Sequence, residues 1–210
     1  MTAFVFDFGA VLFHWQPVPL LRRVLPGLAH DEASARHWVG RVFQGFGGDW
    51  GEFDRGLIGR AEVVQRIAAR TGLAEPQVAA VVDAVLVDLT PMPASEALVR
   101  RLQAAGQPLY FLSNMPAPFA DHLERQYPVL SAFQAGVFSS RVRLSKPDPA
   151  IFALAARRFG QAPGELVLLD DSPANVAAAQ AAGWRALLFA DALQAEAELR
   201  AAGWWPAAAP

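Results

Sequence analysis

Asp7 ends an apolar run, Phe4-Val5-Phe6, and is followed by Phe8 and Gly9. A carboxylate leaving a buried strand, beside a glycine that lets a ligand approach the backbone, is a candidate nucleophile or metal ligand, and equally a capping Asp in a turn. The pattern recurs. Pro108-Leu109-Tyr110-Phe111-Leu112 runs into Ser113-Asn114, and Glu165 to Leu169 runs into the pair Asp170-Asp171. Lys146 stands just before Pro147-Asp148-Pro149, where Asp148 suits a helix N-cap and Pro149 the first helical position. Taken singly these signals are weak, since Ser-Asn pairs mostly make turns and a lysine before a helix is mostly solvated. Asn175, in the helix after the Asp pair, either braces Lys146 or supports the turn; His14, Trp15, Trp50 and Phe53 read first as packing residues. The chain has no cysteine, so catalysis must draw on carboxylate, hydroxyl, amine or imidazole groups, with no thiolate chemistry and no disulfide framework.

Strands and helices have to bring these groups together, and the hydrophobic pattern supplies them. Short apolar strands are expected at the Asp7, Ser113 and Asp170 runs, at Ala135 to Ser139 and at Arg185 to Phe189. Helices alternate with them: Pro93 to Ala105, Ala117 to Tyr127, one opening at Asp148-Pro149, one from Ser172-Pro173 to Ala182, and Leu193 to Ala202. Right-handed crossovers keep parallel strands pointing one way, so Asp7, Ser113, Lys146 and Asp170-Asp171 fall on one edge of the sheet. The stretch from Pro17 to Leu89 differs: Val18 to Leu25, Glu32 to Phe46, Ala61 to Thr71 and Pro76 to Leu89 show helical spacing, while Gly45 to Gly56 reads as an irregular, aromatic-rich segment that folds back on the rest. The expected fold is α/β, a Rossmann-like doubly wound parallel sheet core made of residues 1–16 and 90–210, with an all-helical insertion at residues 17–89.

With 210 residues, 53% hydrophobic and 18% charged, the chain can bury a full core, and a net charge of −2 gives no footprint for nucleic acid. The apolar stretch from Ala3 to Leu21 lacks a basic start and is broken by Asp7, His14, Pro17 and Pro19, so neither a signal peptide nor a membrane span is expected and the assignment is cytoplasmic. Trp204-Trp205 is expected to pack on its own chain.

Together the polar groups resemble the four ordered motifs of the haloacid dehalogenase superfamily: Asp7-Phe8-Gly9-Ala10-Val11, Ser113-Asn114, Lys146-Pro147, and Asp170-Asp171-Ser172-Pro173-Ala174-Asn175. The helical insertion, with Trp50, Phe53 and Gly56, resembles that superfamily's type 1 cap. Within it, the chain is most similar to the branch reading Asp-Phe-Gly-Gly-Val-Leu followed by Trp, which includes glucose-1-phosphate phosphatases and the N-terminal phosphatase domain of soluble epoxide hydrolase. The resemblance implies a phosphatase acting on a small phosphorylated metabolite, a sugar phosphate by preference, through an aspartyl phosphate on Asp7. It implies Mg²⁺ held by Asp7, the Gly9 carbonyl and the Asp170/Asp171 pair, with Asp171 the favoured direct ligand, and phosphoryl binding by Ser113, Asn114 and Lys146. One position departs from the pattern. Most phosphatases of the superfamily carry a general acid and base two residues after the nucleophile, where this chain has Gly9. Good leaving groups and a slow second step are then expected, unless His14 or a cap residue supplies the proton transfer. The rival readings are a metal-independent 2-haloacid dehalogenase, against which the paired carboxylates argue, and a non-catalytic phosphate-binding protein, against which the retained nucleophile argues.

Overall fold

The computed structural model describes residues 2–45 and 47–205. Five strands, β1 (Ala3–Phe6), β2 (Leu109–Ser113), β3 (Ala135–Phe138), β4 (Leu166–Asp170) and β5 (Arg185–Leu188), pair in parallel in the order β3-β2-β1-β4-β5. The central strand, β1, is buried throughout. Phe4 and Phe6 face one core and Ala3 and Val5 the other, the two-residue alternation of a strand covered on both sides.

The insertion between β1 and β2 begins with α1 (Pro17–Val24), α2 (Glu32–Phe43), α3 (Gly48–Asp54), α4 (Arg60–Thr71) and α5 (Glu75–Asp88). The core then adds α6 (Pro93–Ala104), α7 (Ala117–Gln126), the single turn α8 (Ser139–Val142), α9 (Pro149–Phe159), α10 (Pro173–Ala181) and α11 (Ala192–Ala201). Buried residues of α6, α7 and α11 cover the Phe4/Phe6 face, and those of α9 and α10 the Ala3/Val5 face. β2 lies on one side of β1 and β4 on the other, so the winding reverses beside β1, the place where open α/β sheets bind ligands. The chain enters and leaves the insertion side by side: Phe13 pairs with Pro91, the His14 N–H donates to the Thr90 carbonyl at 2.9 Å, and the Met92 N–H donates to the Leu12 carbonyl at 2.8 Å.

Two sequence-based expectations need correction. The segment read as irregular contains α3, whose Asp49 N–H is capped by the Gln44 side-chain carbonyl at 3.1 Å and which buries Trp50 and Phe53, three residues apart on one face. The abundance of glycine masked that helical spacing. Helix α2 stops at Phe43 instead of Phe46 because Gln44 adopts the left-handed conformation, φ 52°; Phe46 lies outside the described residues. Asp148 caps α9 as expected, its carboxylate accepting from the Ala150 N–H at 2.8 Å. Trp204 and Trp205 pack on their own chain, beneath the guanidinium groups of Arg185 and Arg200. Residues Pro206 to Pro210 lie outside the described residues. Among those described, no helix is long and apolar enough to cross a membrane.

Candidate active site

Asp7 leaves the sheet at its central strand, its backbone N–H still bonded to the Leu169 carbonyl of β4. Its Oδ1 accepts from the Phe8 N–H at 2.7 Å and lies 2.9 Å from the Lys146 ammonium. Lys146, in the loop between α8 and α9, is fully buried. Asn114, just past β2, fixes that loop: its side chain donates to the Lys146 carbonyl and accepts from the Lys146 N–H, both at 2.9 Å. The Lys146 ammonium also meets Asp170 Oδ2 at 2.5 Å. Asp170 Oδ1 accepts from the Ser172 N–H and from Asn175 Nδ2, each at 2.9 Å. Both oxygens of Asp170 are thus engaged, and Asn175 braces Asp170 instead of Lys146. Asp171, the next residue, is exposed to the cavity.

Carboxylate oxygens of Asp7, Asp170 and Asp171 lie within 4.8 Å of one another, facing a single ammonium. Burial pushes the Asp7 carboxyl up to about 7; Lys146 pulls it back, and Asp170 and Asp171 push it further up. Burial also raises Asp171, with Asp170 adding to the effect. For Lys146, burial opposes the charged form, but Asp170 and Asp7 outweigh it and hold the ammonium protonated above its usual range. An excess of carboxylate over ammonium, with oxygen donors only, fits a hard divalent cation such as Mg²⁺.

Asp7, Lys146 and Asp171 floor a cavity of about 340 Å³. Asp7, Gly9, Asn114, Lys146 and Asp171 line it from the core. Ser113 ends β2, is 1% exposed and stays out of the lining, so at this loop the cavity meets Asn114 and not the serine. The His14 side chain also stays out. Much of the remaining wall is hydrocarbon, from Trp15, Phe43, Trp50, Val85, Leu89 and Phe119. Three of these rings form a ladder, with centroids 5.1 Å apart for Trp15–Phe43 and 4.7 Å for Phe43–Trp50. Trp15 and Trp50 therefore both pack and line the cavity, whereas Phe53 only packs, against Trp50 and Phe119.

Sequence reasoning passed over Asp54. It ends α3, lines the same cavity, and is pushed up to about 8 by burial, Arg55 pulling it down and Asp7 adding to the rise. The available signal was its place one residue after buried Phe53 and before Gly56, at the end of an unrecognised helix.

Comparison with known proteins agrees with this geometry. Residues 1–183 match the family described as haloacid dehalogenase-like hydrolase. The sesquiterpene phosphatase astK of Aspergillus oryzae is 28% identical over 199 residues, covering 94% of each chain. Solved structures share the fold, two of them as follows. A HAD family enzyme of Bacteroides thetaiotaomicron, in complex with magnesium and inorganic phosphate, superimposes with a TM-score of 0.66 at 22% identity, over 89% of this chain and 93% of that one. The L-2-haloacid dehalogenase of Xanthobacter autotrophicus, with chloropropionic acid covalently bound, gives 0.67 at 23% identity, over 98% and 85%. With the family match spanning residues 1–183 and the motif residues meeting at the switch point of the sheet, the chain belongs to the haloacid dehalogenase-like hydrolases.

Proposed function

We propose that the protein is a Mg²⁺-dependent phosphatase that hydrolyses a small phosphomonoester with an apolar alcohol portion through an aspartyl phosphate on Asp7. The observation that carries the reading is the division of labour between the paired carboxylates: Asp170 is consumed by Lys146, Ser172 and Asn175, while Asp171 turns into the cavity beside Asp7. A dehalogenase working without metal has no use for that spare carboxylate. Asp7, Asp171 and the Gly9 carbonyl would hold the ion, which when bound neutralises charge on the nucleophile and the phosphoryl oxygens. Lys146 stays charged between Asp7 and Asp170, keeps the nucleophile oriented and faces the incoming phosphoryl group. Asn114 holds the Lys146 backbone in place and offers its own backbone N–H to the phosphoryl group.

An apolar alcohol fits the wall better than the sugar expected from the motifs. A sugar hydroxyl turned toward Trp50, Val85 or Leu89 would lose its water without gaining a partner, at about 1–3 kcal/mol each. The Aspergillus oryzae relative, a sesquiterpene phosphatase, is named for a substrate of that class.

Release of phosphate from an alkyl or aryl phosphate, and of halide from a 2-haloacid, each with and without Mg²⁺, tests the reading. Phosphate release that needs Mg²⁺ and vanishes in Asp7→Asn is expected. Halide release without metal would replace it with a dehalogenase, and inertness on both would leave a binding protein. Asp171→Ala should abolish Mg²⁺ binding measured by calorimetry, whereas Ser113→Ala should keep it.

A further inference from the structure

We propose that Asp54, delivered by the helical insertion, is the general acid and base of this site, supplying the proton transfer that Gly9 cannot. The assignment rests on the phosphatase reading above, and four observations carry it.

Asp54 lines the same cavity as Asp7, and among the described residues that line it, it is the only titratable group beyond Asp7, Lys146 and Asp171. It is also uncommitted. The other two carboxylates of α3 are tied to α4, Asp49 to Arg70 at 2.8 Å and Glu52 to Arg66 at 2.9 Å, whereas among the described residues no hydrogen bond or ion pair engages the Asp54 carboxyl.

Its backbone is latched to the core. The Ser139 hydroxyl donates to the Asp54 carbonyl and accepts the Met115 N–H at 2.8 Å, so the residue is pinned to the loops after β2 and β3. Two residues on, Gly56 has φ +65° and approaches Ser140 so closely that a Cβ there would lie 2.6 Å from the Ser140 carbonyl oxygen. A surface aspartate needs no such seat.

The charges around Asp54 also suit the role. Burial, with Asp7 adding to it, disfavours the carboxylate, Arg55 on its own segment favours it but is outweighed, and the carboxyl is held protonated up to about 8. Lys146 and Asp171 face the same cavity from its floor.

In the first step an Asp7 oxygen bonds to phosphorus, the ester P–O bond breaks, and the Asp54 proton passes to the departing alkoxide, releasing the alcohol. In the second, water oxygen bonds to phosphorus, its proton passes to the Asp54 carboxylate, and the P–O bond to Asp7 breaks, which restores both groups. An alcohol of the apolar class proposed above is a poor leaving group and needs that acid; an aryl alcohol does not.

The test compares wild type, Asp54→Asn, Asp54→Glu, Gly9→Asp and the Gly9→Asp/Asp54→Asn double variant, with saturating Mg²⁺, on hexyl phosphate and p-nitrophenyl phosphate. Gly9 can take the side chain: its backbone is outside the left-handed region and an added Cβ would touch Trp15 at 3.6 Å, an ordinary contact. Asp54→Asn should lose about 10²- to 10⁴-fold on hexyl phosphate, release one equivalent of nitrophenol in a burst before a slow steady state, and lose the fall in kcat/KM near the Asp54 titration. Gly9→Asp should restore part of that loss, and Asp54→Glu should keep a basic limb in the profile. Unchanged turnover of hexyl phosphate in Asp54→Asn overturns the proposal. So does an equal loss on both esters with no burst and an unaltered pH profile, the mark of a purely structural role. If wild type releases no phosphate from either ester, the phosphatase reading itself fails; a failure confined to the Asp54 variants leaves that reading standing.

Discussion

Lys146 is the residue on which the local electrostatics turn. It is an ammonium fully out of contact with solvent, stabilised only because Asp7 and Asp170 sit 2.9 and 2.5 Å away. Removing one partner of a buried ion pair leaves the others uncompensated, so Lys146→Met should destabilise the fold by about 3–5 kcal/mol in urea unfolding, in addition to abolishing turnover. Asp54 acts in the opposite sense. Its folded carboxyl titrates near 8, above its unfolded value of about 4, so its contribution to stability is complete below the unfolded value and is lost as pH rises through 8. Asp54→Asn should therefore flatten the fall in thermal midpoint across that window; a fall as steep as in wild type would mean that the carboxyl is not buried in solution.

Among the elements, the strands were the most legible, because an apolar run ending in a polar group carries both its burial and its function in a few consecutive residues. Asp7, Asn114, Asp170 and Asp171 follow from that rule, Lys146 follows from the helix start just after it, and all five do meet. Ser113 fits the rule but its side chain stays out of the cavity. Asp54 was illegible for a physical reason: its role depends on α3 being a helix, on that helix being capped by Gln44, and on Ser139 reaching it from another part of the chain, none of which a local pattern encodes. Substituting Gly56 tests this latch. Gly56→Ala imposes left-handed strain of about 1–2 kcal/mol and a backbone clash at Ser140, and a displacement of about 1 Å at a catalytic group costs on the order of 10²-fold. The expected result is a loss in kcat with Mg²⁺ binding preserved; unchanged kcat would show that the latch does not position Asp54.

For the molecule as a whole, a Rossmann-like sheet supplies Asp7, Lys146 and the paired carboxylates, and the helices between Pro17 and Asp88 supply much of the apolar wall and the remaining carboxyl. We propose that residues 1–16 and 90–210 and residues 17–89 behave as two bodies hinged where Leu12 and His14 pair with Met92 and Thr90. Closing them over a substrate would exclude water from everything but the reacting face, which strengthens each electrostatic contact on the floor. The most direct measurement is hydrolysis of an alkyl phosphate in heavy-oxygen water with Mg²⁺, followed by mass spectrometry of the products and of the peptide bearing Asp7. Attack of water on the phosphorus of an aspartyl phosphate predicts a labelled oxygen in the released phosphate, an unlabelled alcohol and an unlabelled Asp7; label in the alcohol or in Asp7, or turnover that proceeds without Mg²⁺, would contradict it.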